Sequence, residues 1–270
     1  MGKLARAVAV ALLLNGTASA ATAATSSLET VTTPRGAKQS FIQIRPEHPV
    51  ASVILFAGGH GGLGLKSPTS MAWGARNFLV RSRSLFAARG LLVAVIDAPS
   101  DRRQGMNGIF RMSPAHAADI GAVAAHLKKQ LDRPVWLVGT SMGTFSAARG
   151  AIGVSNVDGL VLTSTITRAK PDWKIAQSHR DGVASLPLGS VTVPTLIVSH
   201  RKDGCDITPA ADATKLKERL SKARKVEIVL LDGGSPPQSE PCEAMSQHGF
   251  LGIEEKAVDV IVDFVKANGR

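Results

Sequence analysis

The residues with the clearest chemical potential form a Gly-x-Ser-x-Gly motif, residues 139–143, with Ser141 at its centre. An apolar run directly precedes the motif, and a helix-compatible run follows it. In a strand–turn–helix context, a tight turn raises the serine above the sheet, and both glycines are required because side chains there would clash. The motif therefore predicts that Ser141 is the nucleophile of an acyl-transfer reaction, with the backbone N–H of Met142 facing the developing oxyanion.

A second glycine-rich segment, residues 57–64 (Ala-Gly-Gly-His-Gly-Gly-Leu-Gly), follows an early apolar run. It also fits the dinucleotide-binding pattern Gly-x-Gly-x-x-Gly, but Asp97 comes well beyond the spacing of about 20 residues typical of that site. With Ser141 downstream, the segment is better interpreted as an oxyanion loop, in which a backbone N–H approaches the substrate carbonyl. We expect the donor to be the N–H of Gly59 or of His60.

A serine nucleophile requires a base, and the base requires an orienting acid. Of the seven histidines, His248 lies after the last predicted strand and before the final predicted helix, so its loop can return the imidazole to the sheet edge. Asp203 and Asp206 both follow a predicted strand. We expect Asp203 to accept the His248 Nδ1–H and fix the productive tautomer, with Asp206 as the alternative.

The N-terminal residues 1–24 have the pattern of a secretory signal peptide. Lys3 and Arg6 precede a short apolar run. Residues 18–20 (Ala-Ser-Ala) form a small-x-small cleavage site, and residues 21–23 (Ala-Thr-Ala) are the alternative. The run is too short for a permanent membrane span. We expect a protein exported to the periplasm or the medium without a stable membrane anchor; an uncleaved N-terminal helix is the alternative.

The chain contains two cysteines, Cys205 and Cys242. In an exported protein an even pair most simply forms one disulfide, although two buried free thiols are an alternative. A bridge would join the loop after Asp203 to the segment before His248. Two cysteines alone cannot complete a structural zinc site, and the sequence has no metal-binding motif such as His-Glu-x-x-His.

The composition is that of an ordinary globular protein, with 270 residues, 44% hydrophobic and 20% charged. This length suits one large α/β domain, which we expect to span residues 25–270. The formal net charge is +11, but the basic residues are scattered, and aromatic residues make up only 4%. Stacking platforms for nucleic acid are therefore not expected.

Predicted strands alternate with predicted helices along most of the chain, which indicates a parallel sheet with helices on both faces. Ser113 and Pro114 begin one helix, as N-cap and first-turn residue. A less regular, charged stretch, residues 168–191, could form a short lid. The predicted strands are residues 41–44, 53–57, 91–97, 134–138, 157–162, 195–199 and 226–231, and two further helices are predicted at residues 209–223 and 253–267.

From residue 41 to residue 267 the sequence resembles the α/β-hydrolase fold family. Residues 139–143 match the nucleophile elbow, residues 58–62 match the oxyanion loop, and Ser141, Asp203 and His248 follow the family order of serine, acid and histidine. The resemblance extends to small exported bacterial members with a cysteine after the acid and another before a His-Gly-Phe. It implies a mostly parallel eight-stranded sheet and acyl chemistry without a cofactor or metal.

The expected activity is hydrolysis of carboxylic esters of small to medium size by a secreted or periplasmic enzyme. Esters need less help for the leaving group than amides do. A peptidase or amidase with the same triad is an alternative, as is a non-catalytic ligand-binding module on a hydrolase scaffold. The short charged stretch at residues 168–191 makes bulky lipids less suitable, because lipases usually carry a large apolar lid.

Overall fold

The computed structural model of the protein describes Gly2 and residues 24–269. The predicted signal peptide, apart from Gly2 and Ala24, lies outside the described residues. Within the described part of the chain, every helix is too short or too polar to cross a bilayer.

The centre of the described chain is an eight-stranded sheet, accompanied by a small two-stranded one. The strands are β1 (Thr25–Thr32), β2 (Lys38–Arg45), β3 (Ala51–Phe56), β4 (Leu65–Ser67), β5 (Ser70–Met71), β6 (Leu91–Ile96), β7 (Val135–Ser141), β8 (Gly159–Thr165), β9 (Thr195–His200) and β10 (Val226–Leu231). The large sheet has the order β1-β2-β6-β3-β7-β8-β9-β10. β1 and β2 are antiparallel to their neighbours and the other six strands are parallel, so the predicted mostly parallel eight-stranded sheet is confirmed.

Helices cover both faces of the large sheet. The helices are α1 (Phe78–Arg81), α2 (Arg83–Ala88), α3 (Gly108–Arg111), α4 (Pro114–Gln130), α5 (Gly143–Gly153), α6 (Ala213–Arg219) and α7 (Glu254–Asn268). One apolar core lies between the sheet and α4, α5 and α6. A second core lies between the opposite face and α1, α2 and α7. Because both faces are buried, the central strands read as continuous apolar runs rather than as alternating patterns.

The start of α4 agrees with its sequence signals. The Ser113 side chain accepts the His116 N–H at 3.2 Å, and Pro114 occupies the first turn, where its missing N–H leaves no hydrogen bond unmade. Ile120, Val123 and Leu127 of its apolar stripe are fully buried.

The helix predicted at residues 209–223 is shorter in the structure. A 3-10 turn at Ala210–Asp212 leads into α6, which ends at Arg219. The helix stops because the chain turns back to enter β10, where the Lys225 carbonyl accepts the Thr195 N–H at 2.8 Å. The amphipathic pattern of the sequence continues past this turn, so the prediction overestimated the length of the helix.

The segment of residues 168–191 divides into two parts. Residues 182–185 and 188–190 form 3-10 turns whose Val183 and Leu188 are fully buried in the core of α4, α5 and α6. The residues before them form turns and are mostly exposed. Lid function of this segment stays a prediction, and the exposed first part is where it would apply.

Candidate active site

Ser141 lies at the turn between β7 and α5 in a strained backbone conformation. Its φ of 51° is in the left-handed region, which residues other than glycine rarely adopt. A Cβ on Gly139 would lie 2.5 Å from the Gly143 carbonyl oxygen, and a Cβ on Gly143 would overlap the Phe56 carbonyl. The structure therefore forms the tight turn that the Gly-x-Ser-x-Gly motif requires, with Ser141 half-buried at the carboxyl end of the parallel strands.

The His248 ring is hydrogen-bonded to Asp203 through Nδ1. The His248 Nδ1 and the Asp203 Oδ2 are 3.1 Å apart, and both side chains are buried. Asp203 Oδ1 accepts the Cys205 N–H at 3.0 Å, so the carboxylate is fixed from two sides. Donation of the Nδ1 proton to Asp203 leaves His248 Nε2 with its lone pair, which is the tautomer of a general base. Nε2 has no hydrogen-bond partner among the described residues.

The backbone of His248 is also tethered. Ser164, at the end of β8, donates its hydroxyl to the His248 carbonyl at 2.7 Å. The His248 N–H donates to the Ser246 hydroxyl oxygen at 3.2 Å. Ser164 has a φ of 42°, which is a strained left-handed conformation like that of Ser141. These contacts fix both the ring and the main chain of His248.

Thr208 contacts both Asp203 and His248, although it was not among the predicted site residues. Its hydroxyl donates to Asp203 Oδ2 at 3.0 Å and lies 3.1 Å from His248 Nδ1. The side chain is buried. A threonine five residues after the acid is not a recognisable motif, so no sequence signal could have found it.

The predicted disulfide is present, with the two Cα atoms of Cys205 and Cys242 4.5 Å apart. Asp206 lies beside the bridge, 3.6 Å from the Cys242 sulfur, whereas Asp203 is the carboxylate that contacts His248. Cys205, Asp206 and Cys242 bring three potential metal-ligand atoms within 4.8 Å of one another. Because the two sulfurs are bonded to each other, neither is a thiolate ligand.

The glycine-rich segment reaches Ser141 at its first glycine. A Cβ on Gly58 would lie 3.0 Å from the Ser141 Cβ. Gly59 has a φ of 57°, and a Cβ there would lie 2.7 Å from the ring of Trp73. His60 is exposed and its ring lies against Trp73, with centroids 3.9 Å apart. The absence of side chains at Gly58 and Gly59 therefore allows this segment to pass close to both Ser141 and Trp73.

Asp97 organises the far end of the same segment. Its carboxylate accepts the N–H groups of Leu63, Gly64 and Leu65 at 2.6, 3.2 and 2.9 Å. It is therefore occupied by the chain itself and not arranged for the ribose of a dinucleotide, which agrees with the oxyanion-loop interpretation.

Arg111 is buried beside Ala57 and Gly59, and it was also not among the predicted site residues. Its Nη2 donates to the carbonyls of Ala57 and Gly59, at 3.2 and 3.1 Å. Its Nη1 donates to the Ser146 hydroxyl oxygen at 2.8 Å. The same hydroxyl oxygen lies 2.9 Å from His116 Nε2. Burial lowers the pKa of Arg111 to about 9, so it remains protonated at neutral pH. Burial, together with the positive charge of Arg111, lowers the pKa of His116 to about 3 and keeps that ring neutral.

An open cleft of about 520 Å³ lies over Ser141 and His248. This volume is within the range of small-molecule sites. Its walls come mainly from the glycine-rich segment, the region from β5 to α1, and the segment around the disulfide. The apolar lining residues are Met71, Ala72, Trp73, Ala75, Phe78, Ala244 and Met245, and the polar ones include Arg76, Asn77, Ser239 and Glu243.

Comparison with known proteins rests on structure, because no family model and no curated protein matches the sequence. An esterase of Pyrococcus furiosus superposes with a TM-score of 0.62 at 16% identity, covering 90% of this chain and 93% of its own. A cold-adapted esterase from an Arctic intertidal metagenomic library gives 0.59 at 15%, covering 96% and 100%. A fungal esterase from Rhizomucor miehei gives 0.62 at 15%, covering 93% and 84%. The protein has the α/β-hydrolase fold.

Proposed function

We propose that the protein is a serine hydrolase that uses Ser141, His248 and Asp203 to hydrolyse carboxylic esters of small to medium size. The observation that carries the proposal is the orientation of His248. Its Nδ1 is hydrogen-bonded to a buried carboxylate, and its Nε2 has no partner among the residues that the structure describes. His248 and Ser141 line the same cleft. A nucleophile, a base and an orienting acid are the three parts that acyl transfer needs.

The reaction proceeds in two acyl transfers. His248 Nε2 takes the Ser141 proton as Oγ attacks the ester carbonyl, and the carbonyl π electrons move onto oxygen. The N–H of Met142, at the start of α5, and an N–H of the glycine-rich segment stabilise the oxyanion. The C–O bond to the alcohol then breaks, and the imidazolium returns its proton to the leaving alkoxide. Water, deprotonated by His248, attacks the acyl-enzyme in the same way and releases the acid.

The lining of the cleft supports an apolar acyl group. Trp73, Phe78 and Met245 provide an apolar wall close to the nucleophile, and a cleft of about 520 Å³ suits a short or medium acyl chain. The structural neighbours named above are esterases, which agrees with this choice. The same triad could serve a peptidase or amidase, but the cleft presents no pair of acidic groups for a substrate amine among its described lining residues.

The proposal places the enzyme outside the cytoplasm. A disulfide persists in oxidising compartments and is rare in reducing ones. Together with the signal-peptide pattern of residues 1–24, the bridge between Cys205 and Cys242 supports export to the periplasm or medium. N-terminal sequencing of the protein recovered from cell fractions tests this: a mature chain starting near residue 21 or 24 is expected, and an intact Met1 in the cytoplasm would contradict it.

The direct test of activity is hydrolysis of p-nitrophenyl esters of graded acyl length by the wild type and by Ser141→Ala. We expect turnover by the wild type, highest for short to medium chains, and a loss of at least about 10³-fold in kcat for Ser141→Ala. Ser178→Ala is a matched control, because Ser178 is an exposed serine that is also hydrogen-bonded to a histidine, His179, at 2.8 Å. Equal turnover by the wild type and Ser141→Ala would contradict the role of Ser141. A folded wild type that turns over none of the esters would contradict the proposal and favour a ligand-binding role.

A further inference from the structure

Arg111 is an unusual residue because its charge is buried without a counter-ion in the described part of the chain. Its side chain is among the largest that are fully buried. Among the described residues no carboxylate forms an ion pair with it, and its Nε has no hydrogen-bond partner. Burial of an unpaired charge is strongly unfavourable. The hydrogen bonds that the guanidinium makes must therefore offset the cost of burying its charge.

Those hydrogen bonds converge on the segment beside the nucleophile. Nη2 donates to the carbonyls of Ala57 and Gly59, on either side of Gly58. The fit is close, because a Cβ on Gly61 would overlap the same Nη2 atom. Nη1 is in turn oriented by the Ser146 hydroxyl, on α5. The guanidinium therefore lies between the start of the glycine-rich segment and α5, and it connects the two through hydrogen bonds.

The two carbonyls define the direction of two N–H groups. In a trans peptide the C=O and N–H of one unit point in opposite directions. The Ala57 carbonyl shares its unit with the Gly58 N–H, and the Gly59 carbonyl shares its unit with the His60 N–H. Because both carbonyls point to Arg111, both N–H groups point away from it. The cis form is absent from the described chain, so this relation holds at both units.

We propose that Arg111 is a positioning residue for the oxyanion hole. By binding the Ala57 and Gly59 carbonyls, it fixes the N–H groups of Gly58 and His60, through which the glycine-rich segment receives the oxyanion formed at Ser141. This inference rests on the proposed function. Asp97 holds the far end of the same loop through Leu63, Gly64 and Leu65, so Arg111 acts only on the part next to the nucleophile.

The test compares Arg111→Met, which keeps the apolar stem but removes every donor, with Arg111→Lys, which keeps the charge. For Arg111→Met we expect kcat to fall by about 10- to 100-fold with KM within about twofold, because displaced oxyanion donors act on the transition state and not on ground-state binding. The affinity for an alkyl boronic acid, which forms a tetrahedral adduct on the serine, should fall by the same factor. Arg111→Lys should recover part of both losses.

Two further variants keep the test decisive. Arg83→Met is the control, since Arg83 is half-buried and donates to a backbone carbonyl, Val80 O, away from the cleft lining. Ser146→Ala leaves Arg111 in place and removes the hydroxyl that orients Nη1, which is also a partner of His116 Nε2. We expect it to lower kcat by about threefold to tenfold even if Arg111→Met fails to fold.

The outcomes separate this inference from the proposed function. A wild type that turns over esters, with a folded Arg111→Met or Ser146→Ala whose kcat and boronic acid affinity are unchanged, would overturn the role of Arg111 alone. Equal losses in kcat and in ground-state binding would also overturn it, because they indicate a general collapse of the cleft. A wild type that hydrolyses no ester would overturn the proposed function and this inference with it.

Discussion

At the scale of single residues, the imidazole of His248 is fixed by more than a simple acid–base pair. Asp203 Oδ2 and the Thr208 hydroxyl both lie 3.1 Å from Nδ1, and the hydroxyl itself donates to the same carboxylate oxygen at 3.0 Å. Thr208 thus shares the Nδ1 proton with Asp203 and restricts the rotation of the carboxylate. The ring orientation is fixed by two acceptors, the Asp203 carboxylate and the Thr208 hydroxyl, which are hydrogen-bonded to each other.

Replacement of Thr208 by valine, which has the same shape without the hydroxyl, tests this role. We expect kcat to fall by about tenfold with little change in KM, because a hydrogen bond to a charged group is lost and His248 gains rotational freedom. Steady-state kinetics of Thr208→Val provide the measurement. Thr167→Val is a matched control, since Thr167 makes a similar bond to Asp212 at 2.8 Å. Equal kcat in both variants would contradict the role.

At the scale of elements, the disulfide joins the two loops that carry Asp203 and His248, the proposed acid and base. Cys205 lies two residues after Asp203, and Cys242 lies six residues before His248. The bridge closes a sequence separation of 37 residues. The loop-entropy estimate for a separation of this size is about 3–4 kcal/mol of stabilisation, less any strain.

Removal of the bridge should therefore lower both stability and activity. For the double variant Cys205→Ser, Cys242→Ser we expect a drop in the free energy of unfolding of about 3–4 kcal/mol and a lower kcat, because the distance between Asp203 and His248 is less restrained. Urea denaturation and ester hydrolysis measure the two effects. A reductant should reproduce them in the wild type and leave the double variant unaffected; an unchanged midpoint and activity would contradict the account.

The elements also explain which parts of the structure the sequence can predict. The central strands and α4 are predictable, because continuous apolar runs and the Ser113 cap are local signals. β1 was missed, because an edge strand that is half exposed and rich in Ser and Thr has no such signal. The contacts of Asp97 and Arg111 with the glycine-rich segment join residues more than 30 positions apart in the sequence, so only the folded chain brings them together.

At the scale of the whole molecule, the buried ring of His116 links stability to pH. The pKa of His116 is lowered in the folded state from 6.5 to about 3, by burial first and by the charges of Arg111 and Arg35 next. The unfolded chain therefore binds one proton more than the folded chain between these values. Stability from this residue is fully present above pH 6.5 and is lost as the pH falls towards 3.

His116→Gln should consequently flatten the acid side of the stability curve. Between pH 6 and pH 4 we expect the free energy of unfolding of the wild type to fall more steeply than that of the variant, by up to about 1.4 kcal/mol per pH unit, the slope for one proton. Urea titrations across this range measure the difference. His48→Gln serves as control, because the His48 side chain is 90% exposed. Parallel curves for wild type and His116→Gln would contradict a buried neutral His116.

The central claim is that Ser141 is a nucleophile activated by His248, and active-site labelling tests it most directly. The folded wild type and His248→Ala are treated with a fluorophosphonate, and the modified peptide is identified by mass spectrometry. The account predicts a single adduct on Ser141 that forms rapidly in the wild type and is lost or greatly slowed in His248→Ala. No adduct on the folded wild type, or equal labelling of Ser141 in both proteins, would contradict it.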